Sequence, residues 1–144
     1  MDQEMKELID GLNEDLAAEY SAAIQYTYYA SAVQGLYYQI LKPVFENEIP
    51  DEQGHALYLS EKIINLGGQP TTKPVEVKPV TDAKDMLQEA YKAEKDTIER
   101  YKKRREQADK LGLVELVVKL EDMIADETKH MEEMQRLLND PRFS

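Results

Sequence analysis

A separation of 75 residues recurs four times in this chain of 144 residues and constrains its architecture more than any other feature. It is the separation of the two histidines of the chain, each of which ends a Glu-x-x-His segment. The same offset relates the glutamates of the two segments, two further glutamates and two tyrosines. The four pairs are His55 and His130, Glu52 and Glu127, Glu19 and Glu94, and Tyr26 and Tyr101. Four matches at one offset indicate an internal repeat, so the chain consists of two copies of one structural unit.

Apolar residues spaced three and four apart predict four long helices. The helices are expected over about residues 2–33, 38–66, 82–110 and 113–139. Gly35, Gly67 and Gly112 mark the ends of the first three helices, because glycine favours helix C-termini and turns. Thr81 is the expected N-cap of the third helix.

The connections between these helices fix their order in space. The first and second helices are joined by a tight turn, as are the third and fourth, so each pair forms an antiparallel hairpin. Between the hairpins lies the crossover, residues 69–81, which contains three prolines and is not helical. About 14 extended residues reach on the order of 45 Å, and a helix of about 28 residues is roughly 42 Å long. The sequence therefore predicts one all-α domain over residues 1–144, a four-helix bundle of two antiparallel hairpins joined by a long crossover that makes helices two and three parallel.

Four glutamates occupy positions in the apolar spacing of these helices where apolar side chains are normally found. Residues three apart on a helix share a face, so each Glu-x-x-His pair can reach one point. The distances of the four glutamates from Gly35 and Gly112, at a rise of about 1.5 Å per residue, put all their carboxylates near the middle of the bundle. Six side chains are thus expected to meet in the core: Glu19, Glu52, His55, Glu94, Glu127 and His130.

Four carboxylates in one apolar core repel one another and lose their hydration, so positive charge must lie between them. Two divalent cations would balance four carboxylates, and two neutral imidazoles would complete the ligand set. Carboxylate and imidazole ligands suit iron or manganese, whereas structural zinc more often uses four ligands that include cysteine. The chain has no cysteine, although zinc could still occupy the site.

Two tyrosines lie two helical turns beyond the first glutamate of each repeat. This spacing places Tyr26 over Glu19 and Tyr101 over Glu94 on the same helix faces. We expect their hydroxyls to bond the metal-bound carboxylates and include both tyrosines among the catalytic residues. Ordinary core packing is the alternative role for both.

Composition excludes several other functions. The net charge of −11 argues against a nucleic-acid partner, because phosphate binding depends on clustered lysine and arginine. The absence of cysteine excludes disulfides and thiol catalysis. No apolar stretch is long enough for a membrane span and the acidic start is unlike a secretory signal, so no membrane association and a cytoplasmic location are expected.

At these residues the chain resembles bacterioferritin and its relatives in the ferritin-like superfamily, from about Leu12 to Leu138. The ligand pattern is the one known for ferritin-like di-iron and di-manganese proteins. The resemblance implies two iron ions per chain, each with one terminal glutamate and one histidine, and two glutamates that bridge both ions. The implied terminal ligands are Glu19 and Glu94, the bridging ligands are Glu52 and Glu127, and the histidine ligands are His55 and His130. It also implies ferroxidase activity, in which dioxygen oxidises Fe(II) for iron storage or detoxification.

Several positions depart from that family pattern. Gln53 stands where bacterioferritins place their haem-binding methionine, so no haem is expected. The segment after His130, from Met131 to Ser144, is too short for the fifth helix of 24-subunit ferritins, while a homo-oligomer of 12 subunits or a dimer remains open. Pro50 removes one backbone hydrogen bond beside Glu52 and should bend the second helix there.

Two other functions fit the same residues. The protein could be a di-iron or manganese/iron oxidase, or a rubrerythrin-like peroxidase, that keeps its metals and stores no mineral. Rubrerythrins usually carry a further carboxylate where this chain has Thr97, and they usually carry a cysteine-ligated domain. The DNA-protecting starvation ferritins use a different motif at subunit interfaces.

A non-catalytic interpretation also fits these residues, in which the metals only hold the bundle together.

Overall fold

The structure, a computed structural model, describes residues 2–143, and these form four long α-helices and no strand. The helices are α1 (Gln3–Ala32), α2 (Tyr38–Asn65), α3 (Ala83–Lys110) and α4 (Val114–Leu138). Short 3-10 turns follow α1 at Gly35–Tyr37 and α4 at Pro141–Phe143. The predicted four-helix bundle is therefore confirmed, and the helix ends agree with the predicted ends to within one residue.

The N-cap of α3 differs from the prediction. Asp82, not Thr81, is the capping residue, and its Oδ2 accepts a hydrogen bond from the backbone N–H of Asp85 at 3.3 Å. Aspartate is a stronger N-cap than threonine, and its charge also interacts favourably with the positive end of the helix dipole. The helix consequently begins one residue later than expected.

Side-chain contacts establish the topology of the bundle. On α1, Glu19 contacts Tyr101 of α3, and Tyr26, further along α1, contacts Glu94, which comes earlier on α3. These contacts show that α1 and α3 run in opposite directions. Because α1 and α2 form an antiparallel hairpin, α2 and α3 are parallel, as the long crossover predicts.

The crossover is extended and lies along α1, to which it is hydrogen-bonded. The Asn13 side chain donates to the carbonyl of Gln69 at 3.0 Å and accepts from the N–H of Thr71 at 2.7 Å. Further along, the Ser21 hydroxyl donates to the carbonyl of Val75 at 2.6 Å. These bonds satisfy backbone groups that have no partner in a helix or sheet.

Two prolines lie inside α2, which is helical from Tyr38 to Asn65. Pro50 has no N–H, so the carbonyl of Glu46 lacks its usual partner four residues later. The bend predicted beside Glu52 stays a prediction, although both prolines are accommodated within one continuous helix.

Two apolar clusters fill the bundle, one toward each end. The first includes Leu8, Leu12, Leu16, Leu59, Ile63, Leu116 and Leu120. The second includes Tyr26, Tyr29, Leu41, Phe45, Met86, Leu87 and Met134. Along each helix, buried acidic residues separate the members of one cluster from the members of the other. The core is therefore interrupted at mid-length by a polar layer. Among residues 2–143, no helix has both the length and the apolar character needed to span a bilayer.

Candidate metal centre

The polar layer contains all six predicted ligands, which form two overlapping groups. In each group the potential ligand atoms lie within 4.8 Å of one another. One group consists of Glu19, Glu52, His55 and Glu127, and the other of Glu52, Glu94, Glu127 and His130. Glu52 and Glu127 belong to both groups, which is the arrangement that two bridged metal ions require.

The donor atoms of this layer fit two divalent cations. All six residues are buried, and His55, the most exposed, retains 8% of its accessible surface. Seven of their polar atoms make no hydrogen bond within residues 2–143: Oε2 of Glu19, Oε1 of Glu52, Oε2 of Glu94, both carboxylate oxygens of Glu127, and Nδ1 of both histidines. Buried polar atoms normally have partners, because leaving them without one is costly. A metal ion at each position would satisfy this set.

Each histidine directs Nδ1 toward glutamates of the ligand groups and Nε2 toward an aspartate. Nδ1 of His55 lies 3.0 Å from Oε1 of Glu127, and Nδ1 of His130 lies 3.4 Å from Oε1 of Glu52. Nε2 of His55 lies 3.0 Å from Oδ2 of Asp126, and Nε2 of His130 lies 3.0 Å from Oδ2 of Asp51. A proton on Nε2, donated to the aspartate, leaves the lone pair of Nδ1 for a metal.

These two aspartates were missed in the sequence, although the signal was present. Asp51 and Asp126 are related by the same offset as the two histidines, so the repeated motif is Asp-Glu-x-x-His. The aspartates pair crosswise, each with the histidine of the other repeat. This exchange ties α2 to α4 directly beside the centre.

Glu48 is a further buried acid that the sequence analysis missed. It lies one turn before Glu52, is 4% exposed, and places Oε2 at 2.6 Å from Nε2 of His130. The repeat could not reveal it, because the equivalent position in the second half of the chain is Met123.

The two predicted tyrosines contact glutamates of the opposite hairpin rather than of their own helix. The Tyr26 hydroxyl donates to Oε1 of Glu94 at 2.6 Å, and the Tyr101 hydroxyl donates to Oε1 of Glu19. Both hydroxyls therefore bond carboxylates of the predicted ligand set, as expected, although the spacing along one helix did not show that the partner is the glutamate of the facing helix. Because α1 and α3 are antiparallel, a residue two turns beyond one glutamate comes level with the glutamate of the facing helix.

The crowding of carboxylates changes their proton affinities. Burial raises the pKa of Glu52 and Glu127 well above the usual value, and neighbouring carboxylates raise both further. Burial also opposes ionisation of Glu94, but the neighbouring Glu127 and His130 side chains hold its pKa below the usual value. Burial acts to lower the pKa of His130, but the nearby carboxylates, that of Glu48 first, outweigh it and raise the pKa. Without metal, the centre therefore retains protons that a divalent cation would displace.

A buried ion pair lies one turn from Glu19. Nε of Arg104 donates to Oδ2 of Asp15 at 2.9 Å, and both residues are almost completely buried. Burial raises the pKa of Asp15 to about 6, against the lowering effect of Arg104. The guanidinium packs against Gly11, where a Cβ atom would lie 2.4 Å from its carbon.

Two surface pockets are lined in part by Glu94 and Glu19, one glutamate in each pocket. A pocket of about 290 Å³ between α1, α3 and the crossover has Glu94 in its wall and is rich in charge. Its charged members are Glu76, Lys78, Glu89, Glu94, Asp96 and Arg100. A second pocket, of about 540 Å³, has Glu19 in its wall and is mainly apolar, with Ala23, Ile24 and Leu57 among its lining residues. The carboxylate layer is thus close to the surface at Glu19 and at Glu94.

Known proteins share this fold, including one that also shares much of the sequence. The ferritin-like domain family matches residues 9–143. A ferritin-like diiron-carboxylate protein from Bacillus anthracis is 63% identical, with a TM-score of 0.95 over 96% of this chain and 100% of that one. The dodecameric thioferritin of Bacteroides fragilis, a bacterioferritin-related protein, is 25% identical, with a TM-score of 0.86 over 94% of this chain and 86% of that one.

More distant structures share the fold alone. Bacterioferritin from Rhodobacter capsulatus is 22% identical, with a TM-score of 0.81 over 91% of this chain and 82% of that one. No curated protein matches the chain in sequence. The family match, which extends over nearly the whole chain, agrees with the helical topology and the buried carboxylate layer. The chain therefore belongs to the ferritin-like domain family.

Proposed function

We propose that this protein binds two Fe(II) ions in the bundle and oxidises them with dioxygen, as the first step of iron storage or detoxification. The observation that carries the proposal is the pair of overlapping ligand groups that share Glu52 and Glu127. Two ions held by common carboxylates lie close enough to act on one oxygen molecule. The similarity to a diiron-carboxylate protein of Bacillus anthracis supports iron as the metal.

The reaction balances without another reductant. Two Fe(II) ions each give one electron to dioxygen, which takes up two protons and becomes hydrogen peroxide. The protein holds the reactants and excludes bulk water, since the layer lies between two apolar clusters. Glu52 and Glu127 would be shared by the two ions, and Glu19 with His55 and Glu94 with His130 would complete the two positions.

The neighbouring side chains orient the ligands. The hydroxyls of Tyr26 and Tyr101 occupy one oxygen each of Glu94 and Glu19, which leaves the second oxygen of each glutamate for a metal. Asp51 and Asp126 fix the ring orientation of the two histidines. Such partners raise the basicity of a histidine ligand, and their loss typically costs about 10- to 100-fold in metal affinity or activity.

Access and assembly are also consistent with iron handling. The charged pocket with Glu94 in its wall offers cations a short path from the surface.

We further propose a homo-oligomer, because the related thioferritin of Bacteroides fragilis is dodecameric. Leu57 and Ile64, two turns apart on α2, and Ile24 on α1 are largely exposed and form apolar surface suited to contact with another subunit.

Stepwise aerobic addition of Fe(II) tests the proposal. We expect oxidation faster than in buffer alone and, in a closed assembly, retention of far more than two iron ions per chain. The Glu127→Ala variant removes a bridging ligand and should lose rapid oxidation, whereas Glu132→Ala, at an exposed position on the same helix, should retain it. Rapid oxidation with retention that stops near two would instead identify an oxidase or peroxidase that keeps its metals. Oxidation no faster than buffer would refute the catalytic role and leave a purely structural metal site.

A further inference from the structure

The internal repeat is complete at the ligands but broken among their neighbours. The ligands, the two tyrosines and the two aspartates all recur at the same offset. Two buried acids next to the centre do not. The counterpart of Glu48 is Met123, and the counterpart of Asp15 is Ala90. The two halves of the centre therefore have different electrostatic surroundings.

Glu48 acts on one histidine only. Its Oε2 lies 2.6 Å from Nε2 of His130, and Oδ2 of Asp51 lies 3.0 Å from the same nitrogen. Nε2 of His55 has one carboxylate partner, that of Asp126 at 3.0 Å. At the place equivalent to Glu48, the thioether of Met123 carries no charge. Within residues 2–143, two carboxylates thus lie close to Nε2 of His130, whereas one lies close to Nε2 of His55.

The second unmatched acid does not balance Glu48. Asp15 lies one turn from Glu19, but Arg104 bonds its Oδ2 at 2.9 Å and Nε of Arg100 lies 3.4 Å from its Oδ1. A further carboxylate, that of the exposed Glu14, lies 3.7 Å from Arg104. The negative charge of Asp15 is therefore neutralised locally. Within residues 2–143, only the His130 side has an additional buried carboxylate without an arginine or lysine partner.

We propose that the two metal positions are inequivalent, with the Glu94–His130 position taking the first divalent cation and Glu48 acting as the positioning residue that strengthens it. The Glu48 carboxylate, 2.6 Å from Nε2, adds negative charge beside the ring and favours the orientation in which Nδ1 faces the metal position. A buried negative charge also attracts a cation more strongly than a neutral thioether does. The proposal rests on the metal centre described under Proposed function, but not on its reactivity.

The chain allows a direct test, because it has two histidines and the proposal assigns one to each position. Histidine labelled with ¹⁵N in the rings gives separate signals for His55 and His130, which the His55→Gln variant assigns. Zn²⁺, which is diamagnetic, is added in steps to the metal-free protein, and both rings are followed by NMR. We expect the Nδ1 signal of His130 to shift during the first equivalent and that of His55 during the second.

Glu48→Gln keeps the size of the side chain and removes its charge. This variant should weaken the first binding step by about 10- to 100-fold, the typical effect of losing such a partner, and leave the second step unchanged. Glu46→Gln is the matched control, because Glu46 lies on the same helix, is half exposed, and pairs with Lys42. We expect the control to preserve both the order and the affinities of the parent protein.

The outcomes separate this proposal from the proposed function. Simultaneous shifts of the two rings in the parent protein, or a first shift at His55, would overturn the filling order. An unchanged first step in Glu48→Gln would overturn the role of Glu48. Sequential filling in a protein that fails to oxidise iron would support the inequivalence while refuting the ferroxidase. If neither ring responded to two equivalents of Zn²⁺, the metal centre itself would be wrong, and the filling order would be refuted with it.

Discussion

Oε1 of Glu94 accepts a 2.6 Å hydrogen bond from the hydroxyl of Tyr26, which belongs to the other hairpin. The bond occupies one carboxylate oxygen, while Oε2 of the same glutamate has no hydrogen-bond partner within residues 2–143. Tyr101 makes the corresponding bond to Glu19. Each hairpin thus orients a glutamate of the other that we propose as a terminal ligand, with one carboxylate oxygen left for a metal.

Replacing Tyr26 by Phe removes that constraint and retains most of the packing in the apolar cluster. We expect the metal affinity and the rate of Fe(II) oxidation to fall by about tenfold or more, because the partner of a metal ligand is lost. The measurements are competition with a chelator and stopped-flow oxidation. Tyr91→Phe on α3 is the control, since no hydrogen bond of its hydroxyl is found among the described residues. Equal effects of the two substitutions would show that the bond to Glu94 has no special role.

The two aspartates that bond the histidines should not be equally important. Asp126→Ala leaves Nε2 of His55 without a carboxylate, whereas Asp51→Ala leaves Glu48 on Nε2 of His130. We therefore expect Asp126→Ala to lose about 10- to 100-fold in affinity at its metal position, and Asp51→Ala to lose less. Both aspartates are about half exposed, so each variant should stay folded, which circular dichroism checks. A larger loss in Asp51→Ala would contradict the compensating role of Glu48.

The stability of the metal-free protein should fall as pH rises. The pKa values of Glu52 and Glu127 are higher in the folded state than the ordinary 4.5, so the folded protein binds more protons than the unfolded chain above that pH. The raised pKa of His130 acts in the same direction above its ordinary 6.5, while the lowered pKa of Glu94 acts in the opposite direction. The net expectation is a melting temperature that decreases between about pH 5 and 8.

Calorimetric melting of chelator-treated protein measures this dependence. The double variant with Glu52→Gln and Glu127→Gln should show a smaller slope, because two of the responsible groups no longer titrate. Saturating Zn²⁺ should raise the melting temperature most at high pH, where the carboxylates have fewer protons to displace. A metal-free protein that became more stable toward pH 8 would contradict the proton affinities inferred for the centre.

Two glycines inside helices should respond in opposite ways to substitution by alanine. At Gly11 a Cβ would lie 2.4 Å from the Arg104 guanidinium, which Asp15 holds in place, so Gly11→Ala should destabilise by about 1–3 kcal/mol. At Gly54 a Cβ meets nothing within 4 Å, so Gly54→Ala should stabilise α2 by about 0.5–1 kcal/mol. Urea unfolding of both variants measures the difference. Stabilisation by Gly11→Ala would show that the guanidinium can move aside at little cost.

Most of the fold could be predicted because the repeat and the connections both constrain it. The helical spacing of the apolar residues predicted the four helices, and the length of the crossover predicted that α2 and α3 are parallel. The predicted N-cap of α3 was wrong by one residue. Thr81 and Asp82 can both cap a helix, and which of them does so depends on the local backbone geometry.

The candidate site was predicted unevenly. Its six predicted ligand residues, which do lie together in the structure, could be singled out because they recur at one offset and replace apolar residues on buried faces. Asp51 and Asp126 recur at that offset as well, but an aspartate next to a buried residue on a helix usually points to solvent, and both remain about half exposed. Glu48 has no counterpart in the second half, so only its position in space reveals it. The partners of Tyr26 and Tyr101 depend on how α1 and α3 face each other, which spacing within one helix cannot determine.

The crossover determines whether the two halves of such a centre can change independently during evolution. Each hairpin carries two of the four glutamates and one of the two histidines in the ligand groups, so a pair of separate, identical hairpins could supply all six residues. In that pair every substitution would appear twice, once beside each metal. The crossover makes the two hairpins parts of one chain, and a change in one half no longer appears in the other. Glutamate at position 48 can therefore coexist with methionine at position 123. A duplicated structure can in this way offer two metal positions with different neighbouring side chains.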